Sequence, residues 1–136
     1  MTPRVGLDLV DLVRFHSFWG AAESSQLLTV FTASELAYAQ RKRKPVASLA
    51  GRFAAKEAVL KVLGELDLFA MDLTGIEVVA VPSNSPKVHL SGAPAELAAQ
   101  LGIEEVAITI SHTKQFASAV ALALTRPARR FAARQS

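Results

Sequence analysis

Three ionisable residues sit in sequence contexts that disfavour them. Asp8 lies within Val5-Gly6-Leu7-Asp8-Leu9-Val10, a run that alternates as a strand does. Val5, Leu7 and Leu9 share one face of it, and Gly6, Asp8 and Val10 the other. Strands disfavour Asp, and Gly6 weakens this one further. Because Gly6 points the same way as Asp8, the smaller residue leaves room beside the carboxylate. Glu57 and Lys61 lie in a helical stretch, 47–63, within a stripe otherwise formed by Ala50, Phe53, Ala54 and Leu60. A charge among apolar side chains is costly unless a partner, a metal or a ligand balances it. Two carboxylates from separate elements could hold one hard cation. Magnesium suits such a pair, because it takes oxygen ligands, keeps several waters and shares phosphate oxygens with a substrate. Lys61, one turn beyond Glu57, would then meet a phosphate. A cation and a lysine beside a phosphate can do chemistry at a phosphate ester or anhydride. Glu57 and Lys61 are also i and i+4 in the favourable order, so an ordinary helix ion pair is a second reading of the same spacing.

Other polar groups are less specific. Ser111 and His112 fall in a segment joining two strand-like runs and offer donors to an anion. With no Asp/His pairing in sight, Ser111 reads as a turn residue rather than a nucleophile. Arg41, Lys42, Arg43 and Lys44 form a basic run. It is either a solvated surface or a landing site for something acidic. Asp11 begins the turn after the first strand and takes no site role.

These side chains need a scaffold. Residues 4–10 read as a strand. Thr32-Ala33-Ser34-Glu35 has capping-box spacing, so a helix is expected over 33–42, stopped by Pro45. The helix over 47–63 is closed by Gly64. Its residues Ala55, Val59, Val62 and Leu63 should face the core. It is apolar on nearly all sides, more than a monomer of this size needs to bury, which points to assembly. Strands are expected over 76–81 and 87–90, with a turn at Pro82-Ser83-Asn84-Ser85-Pro86 between them. A helix over 94–100 starts with Pro94 and precedes Gly102. Residues 105–110 and 116–124 read as two more strands. The second is alanine-rich, so helix remains an alternative there. Short connections between strands imply antiparallel pairing, and the fold class is α+β.

Composition sets the outer bounds. The chain has 136 residues, 51% of them hydrophobic against 20% charged, enough for one domain with a real core. With no cysteine, disulfides, thiolate metal sites and cysteine nucleophiles are excluded. Neither a signal-peptide core nor a membrane-spanning run is visible, so a cytoplasmic location is expected. The net charge of +3 is mild, and no nucleic-acid motif accompanies the basic run.

The ordered motifs resemble a known family. Gly6-Leu7-Asp8-Leu9, with Arg14 six residues after the aspartate, is similar to the opening motif of holo-acyl-carrier-protein synthases. Phe31-Thr32-Ala33-Ser34-Glu35 resembles their second landmark. Ala50-Gly51-Arg52-Phe53-Ala54-Ala55-Lys56-Glu57-Ala58, followed by Lys61, resembles their most specific signature. Asn84-Ser85-Pro86 with Val88 and Leu90 looks like the stretch between. Ile110-Ser111-His112, with Phe116-Ala117-Ser118-Ala119, resembles the C-terminal landmark. The matches cover roughly residues 5–124.

The resemblance implies transfer of 4′-phosphopantetheine from coenzyme A to a serine of an apo acyl carrier protein, releasing 3′,5′-ADP. It implies a single domain, 1–125, with a mostly antiparallel sheet packed on a long central helix, and a basic tail over 126–136. Asp8 and Glu57 would ligate Mg2+ at the coenzyme A pyrophosphate, and Lys61 would stabilise charge there. Lys44, Arg52, Ser111, His112 and Thr113 would lie near the adenosine and its 3′-phosphate. Arg14 and other basic residues of the first helix would face the acidic acyl carrier protein. A homotrimer with active sites between subunits is implied, with neither nucleic acid nor membrane as partner. The glycine-rich turn usual after the long helix keeps only Gly64, whose backbone would approach the phosphates. That departure leaves room for a second reading, a coenzyme A- or carrier-binding module that has lost transfer. Asp8, Glu57 and Lys61 speak against it.

Overall fold

The structure is a computed structural model that describes residues 1–65, 67, 70–82 and 85–126. Five strands form one antiparallel sheet: β1 (Thr2–Asp11), β2 (Ile76–Val79), β3 (Lys87–Leu90), β4 (Ile103–His112) and β5 (Phe116–Thr125). Their order is β1-β5-β4-β3-β2. The helices are α1 (Leu12–Trp19), α2 (Ser24–Leu27), α3 (Ala33–Gln40), α4 (Pro45–Val62) and α5 (Gly92–Gln100).

The core lies between the sheet and α4. β5 answers the helix-or-strand question by period. Ala117, Ala119, Ala121 and Ala123 are buried, while Val120, Leu122 and Leu124 face outward. Small residues on the inner face of β5 let α4 approach it closely. On its other sides α4 contacts α1, α3 and β2 of the same chain. Ala50, Phe53, Ala54 and Leu60 are therefore buried along with Ala55, Val59, Val62 and Leu63. The all-round apolar character of this helix is satisfied within one chain, contrary to the expectation that it signals assembly.

Several boundaries differ from those expected. Pro45 starts α4 at its first position, where a missing N–H costs nothing, rather than only ending α3. α3 stops at Gln40, α5 begins at Gly92 and β2 ends at Val79. β4 extends through Ser111 and His112, which belong to the strand and not to the turn. Asp11 caps α1, its Oδ1 accepting from the amides of Val13 at 2.9 Å and Arg14 at 3.1 Å. Of the expected turn between β2 and β3, Ser83 and Asn84 lie outside the described residues, as does the tail from 127 on.

The predicted capping box forms, with Thr32 Oγ1 accepting from the Glu35 amide and Glu35 Oε1 from the Thr32 amide. Glu35 does more than cap. Its Oε1 lies 2.8 Å from Lys56 Nζ and its Oε2 accepts from the Val78 amide at 2.9 Å. Lys56 also donates to the carbonyls of Leu73 and Ile76 at 2.9 and 2.6 Å. Both side chains are wholly buried, so α3, α4 and the start of β2 are tied by one polar network with its donors used. Burial pushes the Lys56 ammonium below its usual value, and Glu35 pulls it back.

Candidate active site

Gly6 sets the position of the first group of residues. A β-carbon there would overlap the carbonyl oxygen of Ala58 and come within 3.1 Å of Lys61 Cβ. Its absence lets α4 cross directly over β1. The room anticipated beside Asp8 is thus occupied by the helix itself, and the helix brings Glu57 and Lys61 to Asp8.

Lys61 does not pair with Glu57. Its Nζ donates to the Leu7 carbonyl at 2.6 Å and lies 3.3 Å from Asp8 Oδ1. Its side chain is 43% exposed, so the third N–H can reach a ligand. The Glu57 carboxyl lies close to that of Asp8. Burial first, then the Asp8 carboxylate, push its carboxyl up to about 8, against the pull of Lys61. Asp8 Oδ2 is buried with no hydrogen-bond partner among the described residues. Two carboxylates in contact need a proton or a cation between them, because neither can donate. The orphan oxygen is where it would sit. Among the described residues no group of three or more carboxylate or imidazole side chains could hold a metal. A cation here would take two protein carboxylates and fill its remaining positions with water or substrate oxygen, which fits magnesium.

A cleft of about 700 Å³ opens at the N-terminal end of α4. Lys42, Arg43, Lys44, Arg52, His112 and Lys114 contribute to its walls, and no carboxylate does among the described residues. Lys44 is the N-cap of α4 and offers no side-chain cap, so early amides of the helix remain available to a ligand. Arg52 is 7% exposed, and Arg52 and Glu57 lie about 7.5 Å apart along the helix axis. Glu57 and the cationic cleft therefore follow one helix, with Asp8 brought to Glu57 by β1.

The predicted residues divide as follows. Lys44, Arg52, His112 and Thr113 line the cleft. Thr113 Oγ1 also closes the β4–β5 turn, accepting from the amides of Gln115 and Phe116. Ser111 alternates with Ile110 and His112, so its side chain lies on the opposite, outer face of the sheet. Gly64, at φ +81°, ends α4 in a Schellman motif: the Glu65 amide donates to the Leu60 carbonyl and the Gly64 amide to that of Lys61. It lies beyond Lys61, at the far end of the helix from the cleft. Tyr38, Lys42, Arg43, Ser48 and Lys114 also line the cleft and were not singled out in advance as site residues. The signal for Tyr38 was its spacing: it is the chain's one tyrosine, four residues before Lys42.

The sequence model described as the 4′-phosphopantetheinyl transferase superfamily matches residues 4–133. The chain is 38% identical over 118 residues to a holo-[acyl-carrier-protein] synthase of Moorella thermoacetica, covering 86% of this chain and 90% of that one. It is 38% identical over 120 residues to the Chlamydia pneumoniae protein of the same name, covering 88% and 95%. An ACPS-CoA complex from Chronobacterium ammoniagenes superposes with a TM-score of 0.81 at 29% identity, over 93% of this chain and all of that one. With the motifs in order, the expected sheet and helix present and this match nearly end to end, the chain belongs to the holo-[acyl-carrier-protein] synthase family of the 4′-phosphopantetheinyl transferase superfamily.

Proposed function

We propose that this protein transfers 4′-phosphopantetheine from coenzyme A to a serine hydroxyl of an apo acyl carrier protein, releasing 3′,5′-ADP. The observation that carries this reading is the Asp8–Glu57–Lys61 group, formed where α4 crosses β1, with a cleft rich in cations at the other end of the same helix. The serine oxygen attacks the phosphorus that bears the pantetheine arm, and the bond to the 3′,5′-ADP oxygen breaks. Such chemistry depends on placement and charge neutralisation. Asp8 and Glu57 would hold Mg2+, which when bound neutralises pyrophosphate charge. Lys61, anchored on the Leu7 carbonyl, donates to a phosphate oxygen as negative charge shifts to the leaving group. Arg52, Lys44, His112 and Thr113 receive the adenosine and its 3′-phosphate. The serine proton goes to Glu57 or to a water held beside Asp8.

The reading extends to partners. Val5, Leu7 and Leu9 are 62%, 58% and 61% exposed on the outer face of the sheet, beside Val120, Leu122 and Leu124. So apolar a face fits burial against other copies of the chain, in a homotrimer whose sites lie between subunits. Ser111, on that face, and Gly64 would then serve a neighbour's substrate rather than the cleft of their own chain. Arg14 and the exposed Phe18 of α1 offer a surface to an acidic carrier. No described helix is long and apolar enough to cross a membrane, and a cytoplasmic location fits.

Intact mass spectrometry tests the proposal. An apo acyl carrier protein incubated with this protein, coenzyme A and magnesium should gain one phosphopantetheine group. Asp8→Ala, Glu57→Ala or excess chelator should each lower the rate by on the order of a thousandfold, with the circular dichroism spectrum retained. Turnover that persists in chelator would end the metal assignment.

A further inference from the structure

Arg52 is an unusual buried cation. It is 7% exposed, its Nε has no hydrogen-bond partner among the described residues, and its Nη1 reaches only Ser48 Oγ, at 3.4 Å. No carboxylate pairs with it among the described residues. A guanidinium left this way is costly unless an anion arrives. What holds it is a ring. Its Cζ lies 4.0 Å from the centroid of Tyr38, a half-buried residue of α3 that also lines the cleft. Lys42 Nζ lies 4.6 Å and Arg41 Cζ 5.9 Å from the same centroid.

We propose that Tyr38 is the positioning residue of the anion site: its ring fixes the plane of Arg52, so that the guanidinium edge addresses a phosphate entering the cleft. A guanidinium is planar and binds phosphate through its edge, so its orientation decides whether two N–H groups or one can reach the oxygens. The aromatic face holds that orientation without competing for the N–H groups, which a carboxylate would do. The inference rests on the proposed function in taking the ligand to be the phosphate-bearing end of coenzyme A.

A second observation agrees. The nearby cations, Lys42 first and then Arg52, hold the Tyr38 phenol below its usual value, against its partial burial. The charges around it are Arg41 and Lys42, which follow α3, and Arg52 on α4, with Arg43, Lys44 and Lys114 also in the cleft and His112 among its walls. An anion bound to these cations would return the phenol toward its ordinary value.

The test separates this role from a purely structural one. Tyr38→Leu, which removes the ring, should raise the KM for coenzyme A about tenfold while kcat and the KM for the carrier stay within about twofold. Tyr38→Phe, which keeps the ring, should recover most of that loss. Because the chain has one tyrosine, absorbance near 295 nm reports Tyr38 ionisation directly. Saturating 3′,5′-ADP should move that titration to higher pH, and Arg52→Ala should shrink the movement. An unchanged KM in a folded Tyr38→Leu protein overturns the proposal. So does a titration that ignores the nucleotide, a result that stands even if the leucine variant does not fold. If Arg52→Ala also leaves coenzyme A binding unchanged, the assignment of the cleft fails with it. If Arg52→Ala weakens binding and Tyr38→Leu does not, the role of Tyr38 alone is lost.

Discussion

Lys61 reaches past Glu57, its neighbour one turn back, to bind the carbonyl of Leu7 and face Asp8 at 3.3 Å. Glu57 is left against a second carboxylate, half out of water, and this gives the metal-free protein a pH signature.

In metal-free protein Glu57 is pushed up to about 8, from 4.5 in a free side chain. Between those values the folded state holds a proton that the unfolded state has released. Stability should therefore fall as pH rises through that window. Glu57→Gln cannot ionise and should lack this contribution. In chelator, the difference in melting temperature between the native protein and Glu57→Gln should turn against the native protein from pH 5 to pH 8. Magnesium, which needs the ionised carboxylate, should bind about tenfold more weakly for each pH unit below 8, readable by calorimetry. A flat difference and a flat affinity would place the shared proton elsewhere.

Lys56→Met should be among the most damaging changes in the chain. It leaves Glu35 charged and buried, and strands the carbonyls of Leu73 and Ile76. A loss of about 3–5 kcal/mol is expected, read from urea unfolding midpoints. Glu35→Gln keeps acceptors for Thr32 but strands a buried ammonium, so it should be costly too.

Leu122→Glu places a charge in the middle of the outer sheet face, next to Val5 in the β1–β5 register. Light scattering should report trimers for the native protein and monomers for this variant, with the circular dichroism spectrum unchanged and transfer reduced at least tenfold. Refolding Glu57→Ala and Arg52→Ala chains together should restore part of the activity if the two groups act on one substrate from different subunits. Native trimers with no recovery would mean that each chain builds its site from its own α4.

Arg14→Glu should raise the apparent KM for the carrier more than that for coenzyme A, and added salt should imitate it. Arg14 is the one arginine or lysine of α1. An equal effect on both substrates would move Arg14 out of the docking surface.

Much of this was legible from local pattern. The period of β1, the capping box of α3 and the terminal glycine of α4 each follow from a few neighbouring residues. Asp8 and Glu57 stood out because each broke the pattern around it. What escaped depends on elements meeting. Gly6 looks like a weakness in a strand until α4 is known to cross there. Lys56 reads as one more charge in a motif, and Glu35 as a cap, because their pairing spans 21 positions of sequence. Tyr38 and Arg52 meet only once α3 and α4 have packed. α1 was legible only through the family resemblance, because eight residues containing two phenylalanines and a tryptophan resemble an aromatic run as much as a helix.

β1 has two sides with different obligations. Gly6 and Asp8 face α4, while Val5, Leu7 and Leu9 face outward, and the two sets interleave residue by residue. Slipping the strand by one place would turn Asp8 to the outside and put leucines under the helix, undoing both faces at once. A single inserted or deleted residue between positions 5 and 9 is therefore not a mild lesion that a neighbouring loop can absorb. Over evolutionary time this strand can change its residues only one face at a time, and its length hardly at all.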